Sequence, residues 1–135
     1  MIPKEQSSPL RILVVEDEPS YRILYSKVLT RGGHVVVTCK AGDEAIDAIG
    51  HGTFDVILLD YKLPGPSGLN ILQWMYGKKI NVPTIIITGK GGPEIEFESI
   101  KWGVKLYLQK MDFDPLTLPD IVTRVWRQHQ LDSSG

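Results

Sequence analysis

The sequence predicts an α/β domain built on a five-stranded parallel sheet, doubly wound with helices on both faces. Three observations carry this. Five short apolar runs rich in β-branched residues alternate strictly with five segments of helical period. The runs are almost continuously apolar, as strands covered on both faces are. The length of 135 residues is that of one domain, long enough to bury an ordinary core without staples.

The first strand is expected over residues 10–15 (LRILVV). Tyr21, Leu24, Tyr25, Val28 and Leu29 then recur at i, i+3, i+4, i+7 and i+8, which predicts a helix, and Gly32-Gly33 stops it. Residues 34–38 (HVVVT) form the second strand. Ala45, Ala48 and Ile49 mark a shorter helix ending at Gly50, followed by the third strand over residues 54–59 (FDVILL). Ser67 is placed to cap a helix carrying Leu69, Leu72, Met75 and Tyr76. The fourth strand spans residues 82–87 (VPTIII), and a helix from Pro93 to about Trp102 is ended by Gly103. Residues 105–108 (KLYL) are the fifth strand. Leu118, Ile121, Val122, Val125 and Trp126 share one stripe of a last helix, whose first turn tolerates Pro119. Residues 1–9 read as a polar, loosely ordered leader and 131–135 (LDSSG) as a loose tail or the start of a linker.

Composition narrows the function classes. Fifteen basic against sixteen acidic residues give a net charge of -1, which provides no field for direct nucleic-acid binding. Cys39 is the only cysteine, so a disulfide within the chain and a four-cysteine zinc site are excluded. The apolar runs fall far short of the roughly twenty residues that span a bilayer, and the leader lacks the apolar stretch of a signal peptide. The expectation is a soluble, cytoplasmic protein without membrane association. His34, His51 and His129 show no metal-ligand spacing.

In such sheets, sites form at the carboxyl ends of the strands. Glu16, Asp17 and Glu18 follow the first strand, Asp60 the third, Thr88 the fourth and Lys110 the fifth. Taken singly, each has a plain structural reading as a turn, cap or solvated charge. Together they gather at one sheet edge. Crowded carboxylates repel one another, and a hard divalent cation such as Mg²⁺ relieves that. Asp60 could then act as a carboxylate nucleophile that forms an acyl phosphate, with Thr88 and Lys110 meeting the phosphoryl oxygens.

At these residues the chain closely resembles the receiver domain of two-component response regulators. The likeness runs from about residue 10 to 130 and rests on LRILVVEDEP, DVILLDYKLPGPSGLNIL, IIITG and WGVKLYLQK in that order. It implies a flavodoxin-like (βα)5 fold with strand order 2-1-3-4-5. It also implies that Asp60 accepts a phosphoryl group from a sensor histidine kinase or a phosphotransfer protein. Glu16, Asp17, Asp60 and the Lys62 main-chain carbonyl would bind Mg²⁺ or Mn²⁺, and Thr88 and Lys110 would contact the phosphoryl group. Tyr107 matches the family's aromatic switch position, which with Thr88 would remodel the surface of the fourth helix, fifth strand and fifth helix. The alternative for Tyr107 is a strand residue that simply packs. Such a domain assists only its own phosphorylation and dephosphorylation, and is not an enzyme acting on a separate metabolite.

Departures from the family pattern qualify the resemblance. Met111 follows Lys110 where the family has proline, Gly89 follows Thr88, and Val104 and Lys105 follow Gly103. Lys62 and Lys90 occupy positions that tune phosphoryl lifetime in the family. A receiver-like interaction module that is not phosphorylated is therefore the rival reading. An aspartyl phosphatase is disfavoured, because Tyr61 and Lys62 follow Asp60 where those enzymes carry D-x-D-x-[TV]. A flavin-binding relative is disfavoured by the acidic end of the first strand. The expected partners are the kinase and an output domain or downstream protein, the chain being a stand-alone receiver or part of a longer one. A homodimer through the last two helices would pair Glu94, Glu96, Glu98 and Lys101 with Arg124 and Arg127.

Overall fold

The computed structural model describes residues 8–89 and 91–134. Its strands are β1 (Arg11–Val15), β2 (Val35–Cys39), β3 (Val56–Leu59), β4 (Thr84–Thr88) and β5 (Leu106–Gln109). The helices are α1 (Pro19–Arg31), α2 (Gly42–His51), α3 (Gly68–Gly77), α4 (Pro93–Lys101) and α5 (Leu118–Ser134), the last preceded by a 3₁₀ turn at Pro115–Thr117. All neighbouring strands are parallel, in the order β2-β1-β3-β4-β5. The fold is flavodoxin-like, as the resemblance implied.

Side chains alternate across a pleated sheet, so each central strand feeds two separate cores. Leu13, Val15, Ile57, Leu59 and Ile86 meet Ala45 and Ile49 of α2 and Ile71, Leu72 and Met75 of α3 on one face. Ile12, Val14, Val56, Leu58, Ile85 and Ile87 meet Tyr25 and Leu29 of α1 and Leu118, Val122 and Trp126 of α5 on the other. The ends of α1 and α4 are where the sequence places them. Gly33 and Gly103 both have φ of 93°, the left-handed conformation that closes α1 and α4.

Two expectations need correcting. The second strand is apolar throughout, yet Val35 is 51% exposed, because β2 is an edge strand with one flank and part of its faces uncovered. The tail is not loose from Leu131: α5 continues to Ser134. After Pro119 in its first turn no proline or glycine interrupts it, and Gln128 Nε2 donates to Asp132 Oδ1 at 2.9 Å across its last turns. Of the leader, residues 1–7 lie outside the described residues, as does Lys90.

The ladder bonds that position the site run one residue past the strands. The Glu16 N–H donates to the Cys39 carbonyl at 3.0 Å, that of Asp60 to Val15 at 3.0 Å and that of Lys110 to Thr88 at 3.0 Å. Three charged residues are thereby fixed in the register of the sheet at its carboxyl edge. Below Asp60, α3 begins with a reciprocal cap. The Asn70 N–H donates to Ser67 Oγ, and the Ser67 N–H to Asn70 Oδ1, both at 3.1 Å. Gly68 lets this helix approach closely: a Cβ there would stand 2.6 Å from the Asp60 carbonyl oxygen.

Candidate functional site

Glu16, Asp17 and Asp60 converge at the carboxyl edge, with a carboxylate oxygen from each within 4.8 Å of the others. Glu16 and Asp60 are buried and Asp17 is exposed. The loop carrying the first two is pinned from within. Arg22 Nη1 donates to the main-chain carbonyls of Glu16 at 2.9 Å and Asp17 at 3.3 Å, and the Glu18 N–H donates to Glu16 Oε2 at 3.1 Å.

The fifth strand delivers the counter-charge. Lys110 Nζ lies 2.7 Å from Glu16 Oε1 and 3.3 Å from Asp60 Oδ2, with its side chain only 4% exposed. A third carboxylate, Glu18 Oε1, stands 3.6 Å away on a half-exposed side chain. Met111 does not turn the lysine aside. The Lys110–Met111 peptide is trans, since no cis bond occurs among the described residues. The ladder bond to Thr88 and a turn closed by Asp112 N–H to the Gln109 carbonyl at 3.0 Å set the direction of the chain instead.

Burial pushes the Glu16 carboxyl up to about 7; the nearby Asp60 charge adds to this, and the bond from Lys110 works against it. Burial alone would lower the Lys110 ammonium, but its bond to Glu16 and the charge of Asp60 outweigh that, so it is held above the usual lysine range. The cluster is thus short of positive charge. Its donors are hard oxygens with one open flank at Asp17, which suits Mg²⁺ or Mn²⁺. The residues present fit such an ion.

Asp17, Glu18, Asp60 and Lys110 border an open cavity of about 510 Å³, lined also by Lys62, Thr88, Gly89, Leu63 and Met111. Thr88 is buried at the end of β4. The Lys62 N–H faces Asp60 Oδ1 at 3.4 Å. Tyr107 packs against the core beneath α2 and α3, and its hydroxyl is buried without a hydrogen-bond partner among the described residues. A Cβ at Gly91 would collide with that hydroxyl and stand 2.8 Å from Thr88 Cγ2, so the loop after β4 gives the ring its space. Burial raises the Tyr107 phenol above its ordinary range. The structure therefore brings together Glu16, Asp17, Asp60, Thr88 and Lys110, with Lys62 at the rim and Tyr107 behind Thr88. Sequence reasoning missed Tyr21, which lines the cavity with the Lys110 ammonium 4.2 Å from its ring centroid. Its place on the apolar stripe of α1 had read as core.

Residues 12–123 match the response regulator receiver domain family. Among curated proteins, the transcriptional regulatory protein TcrA of Mycobacterium tuberculosis is 32% identical over 118 residues, covering 87% of this chain and 45% of that protein. The regulatory protein ResD of Bacillus subtilis is 31% identical over 121 residues, covering 90% of this chain and 48% of that protein. The chain thus spans about half the length of the curated relatives it matches. Among solved structures, the BeF3-activated N-terminal receiver domain of RstA from Klebsiella pneumoniae is 27% identical with a TM-score of 0.80, covering 87% of this chain and 99% of that one. NtrX from Brucella abortus is 27% identical with a TM-score of 0.83, covering 93% of this chain and 28% of that one. A CheY-like receiver domain from Methanospirillum hungatei shares the fold, with a TM-score of 0.85 at 23% identity over 93% of this chain and 99% of that one.

Proposed function

The chain belongs to the response regulator receiver domain family of two-component signalling, and from that membership we propose that Asp60 is its phosphoryl acceptor. The observation that carries the reading is the pairing of one buried carboxylate, Asp60, with a buried ammonium 3.3 Å away at the mouth of a cavity. An Asp60 oxygen attacks phosphorus on a partner's phosphohistidine, the new O–P bond forms as the N–P bond breaks, and the electron pair leaves on the imidazole nitrogen. Lys110 neutralises charge on the transferred group, and Thr88 offers its hydroxyl from the end of β4. Glu16, Asp17, Asp60 and the Lys62 main-chain carbonyl would hold Mg²⁺ or Mn²⁺, which supplies charge neutralisation for the phosphoryl oxygens when bound.

Thr88 and Tyr107 are the switch residues of this reading. Thr88 Cγ2 and the Tyr107 hydroxyl both border the space that Gly91 leaves, which supports a coupling between them. A shift of Thr88 toward a phosphoryl group changes what Tyr107 packs against, and with it the face formed by α4, β5 and α5. Phe97 at 69% and Ile100 at 58% exposure on α4 suit that face to a partner. The partners are a histidine kinase or phosphotransfer protein and an output domain or downstream protein, in the cytoplasm. No helix among the described residues is long and apolar enough to cross a membrane. The domain acts as a switch and turns over no separate substrate.

Intact-mass measurement after incubation with Mg²⁺ and acetyl phosphate tests this. One added phosphoryl group is expected, absent from Asp60→Asn and from a Mg²⁺-free sample. An adduct that persists in Asp60→Asn refutes the assignment.

A further inference from the structure

The Lys110 ammonium faces carboxylates on three residues, Glu16 at 2.7 Å, Asp60 at 3.3 Å and Glu18 at 3.6 Å. Attraction alone does not select among them, because all three lie within 4 Å and Glu16, not Asp60, offers the shortest contact. The residue after Lys110 has no ring to stiffen the loop, and the Met111 side chain is 85% exposed. Yet one neighbour of the ammonium is not a carboxylate. The Tyr21 ring lies beneath it, centroid to Nζ 4.2 Å, well inside the range over which an aromatic face attracts a cation.

That ring is itself held. The Tyr21 ring lies tilted against Tyr25 with centroids 5.8 Å apart, Tyr25 is 2% exposed in the core, and it meets Phe113 at 6.4 Å. Phe113 lies three residues beyond Lys110. The row Tyr21–Tyr25–Phe113 thus ties α1 to the loop that leaves β5, gripping that loop at both its start and its middle. Tyr21 also lines the cavity at the acceptor, so it borders the reacting region while its other contacts are with the core.

We propose that Tyr21 is a positioning residue that holds the Lys110 ammonium at the acceptor end of its carboxylate cluster. The proposal rests on the reading of Asp60 as acceptor for its effect on phosphorylation, but the placement of Lys110 is testable without it. The work is done by the ring face. Phenylalanine therefore preserves it and an aliphatic side chain loses it.

Two measurements separate the proposal from its premise. In metal-free protein with isotope-labelled lysine, the Lys110 side-chain protons are shifted upfield by the ring current in wild type and in Tyr21→Phe. In Tyr21→Leu they return toward ordinary lysine positions. Identical Lys110 shifts in wild type and Tyr21→Leu overturn the proposal whether or not the protein accepts a phosphoryl group. With Mg²⁺ and acetyl phosphate, Tyr21→Leu slows phosphorylation about tenfold while Tyr21→Phe stays within about twofold of wild type. In a Lys110→Met background the same Tyr21→Leu change has no further effect. A loss there as large as in wild type shows a role unrelated to Lys110 and also overturns the proposal. Should leucine prevent folding, Tyr21→Met removes the ring with a side chain that fills irregular space, and the same outcomes apply.

Discussion

Replacing Glu16 by glutamine removes one ionisable group from the metal-free cluster while keeping its shape and its ability to accept the Glu18 N–H bond. The consequence follows from where Glu16 titrates. Burial and the Asp60 charge raise it from an ordinary 4.5 to about 7, so between those values the folded protein holds a proton that the unfolded chain releases. Stability then falls as pH rises: the contribution is fully present below about pH 4.5 and is lost as pH climbs through about 7. Each pKa unit is worth about 1.4 kcal/mol, so wild type loses roughly 2–3 kcal/mol between pH 5 and 8 from this group. Glu16→Gln does not. Urea unfolding in EDTA at several pH values reads the difference between the two proteins, which cancels histidines and other groups common to both. The advantage of Glu16→Gln over wild type is expected to grow by that amount toward pH 8, and millimolar Mg²⁺ to shrink it. A difference that is independent of pH, or that narrows as pH rises, refutes the reasoning about crowded carboxylates.

Gly68→Ala puts a methyl group 2.6 Å from the Asp60 carbonyl and 2.9 Å from Tyr61 Cα, both backbone atoms that cannot swing away. The helix start must retreat, costing about 1–3 kcal/mol in urea unfolding and weakening Mg²⁺-dependent phosphorylation; unchanged stability would show that the close approach is not rigid. Tyr107→Phe removes a buried hydroxyl that has no hydrogen-bond partner among the described residues. It should leave the unphosphorylated protein as stable or about 1 kcal/mol more so, and a loss above about 1 kcal/mol would mean the hydroxyl is satisfied after all.

The central strands and the site were legible in the sequence for one shared physical reason. A polar residue directly after an apolar run has to emerge at the sheet edge, and ladder bonds extending one residue past the strands hold Glu16, Asp60 and Lys110 there. The Ser67 cap was equally readable, because its chemistry is local. What failed to show was set by neighbours distant in the chain. The apolar pattern of β2 gave no sign of an edge strand; only the strand order that the resemblance implied placed it there. Tyr21 sits on a stripe that faces both the core and the cavity, and its spacing cannot tell the two apart. The closeness of Gly68 to Asp60 and of Gly91 to Tyr107 is a property of packing alone. The helical end of α5 was hidden by the polar residues that read as a loose tail.

The atom that carries the phosphoryl group can be read directly. Protein treated with acetyl phosphate and Mg²⁺ can be reduced with borohydride, which converts an aspartyl phosphate to homoserine, and the modified residue is then located by peptide mass spectrometry. Homoserine at position 60, dependent on both reagents, is the predicted result. Conversion at another carboxylate, with Asp60 intact, would contradict it.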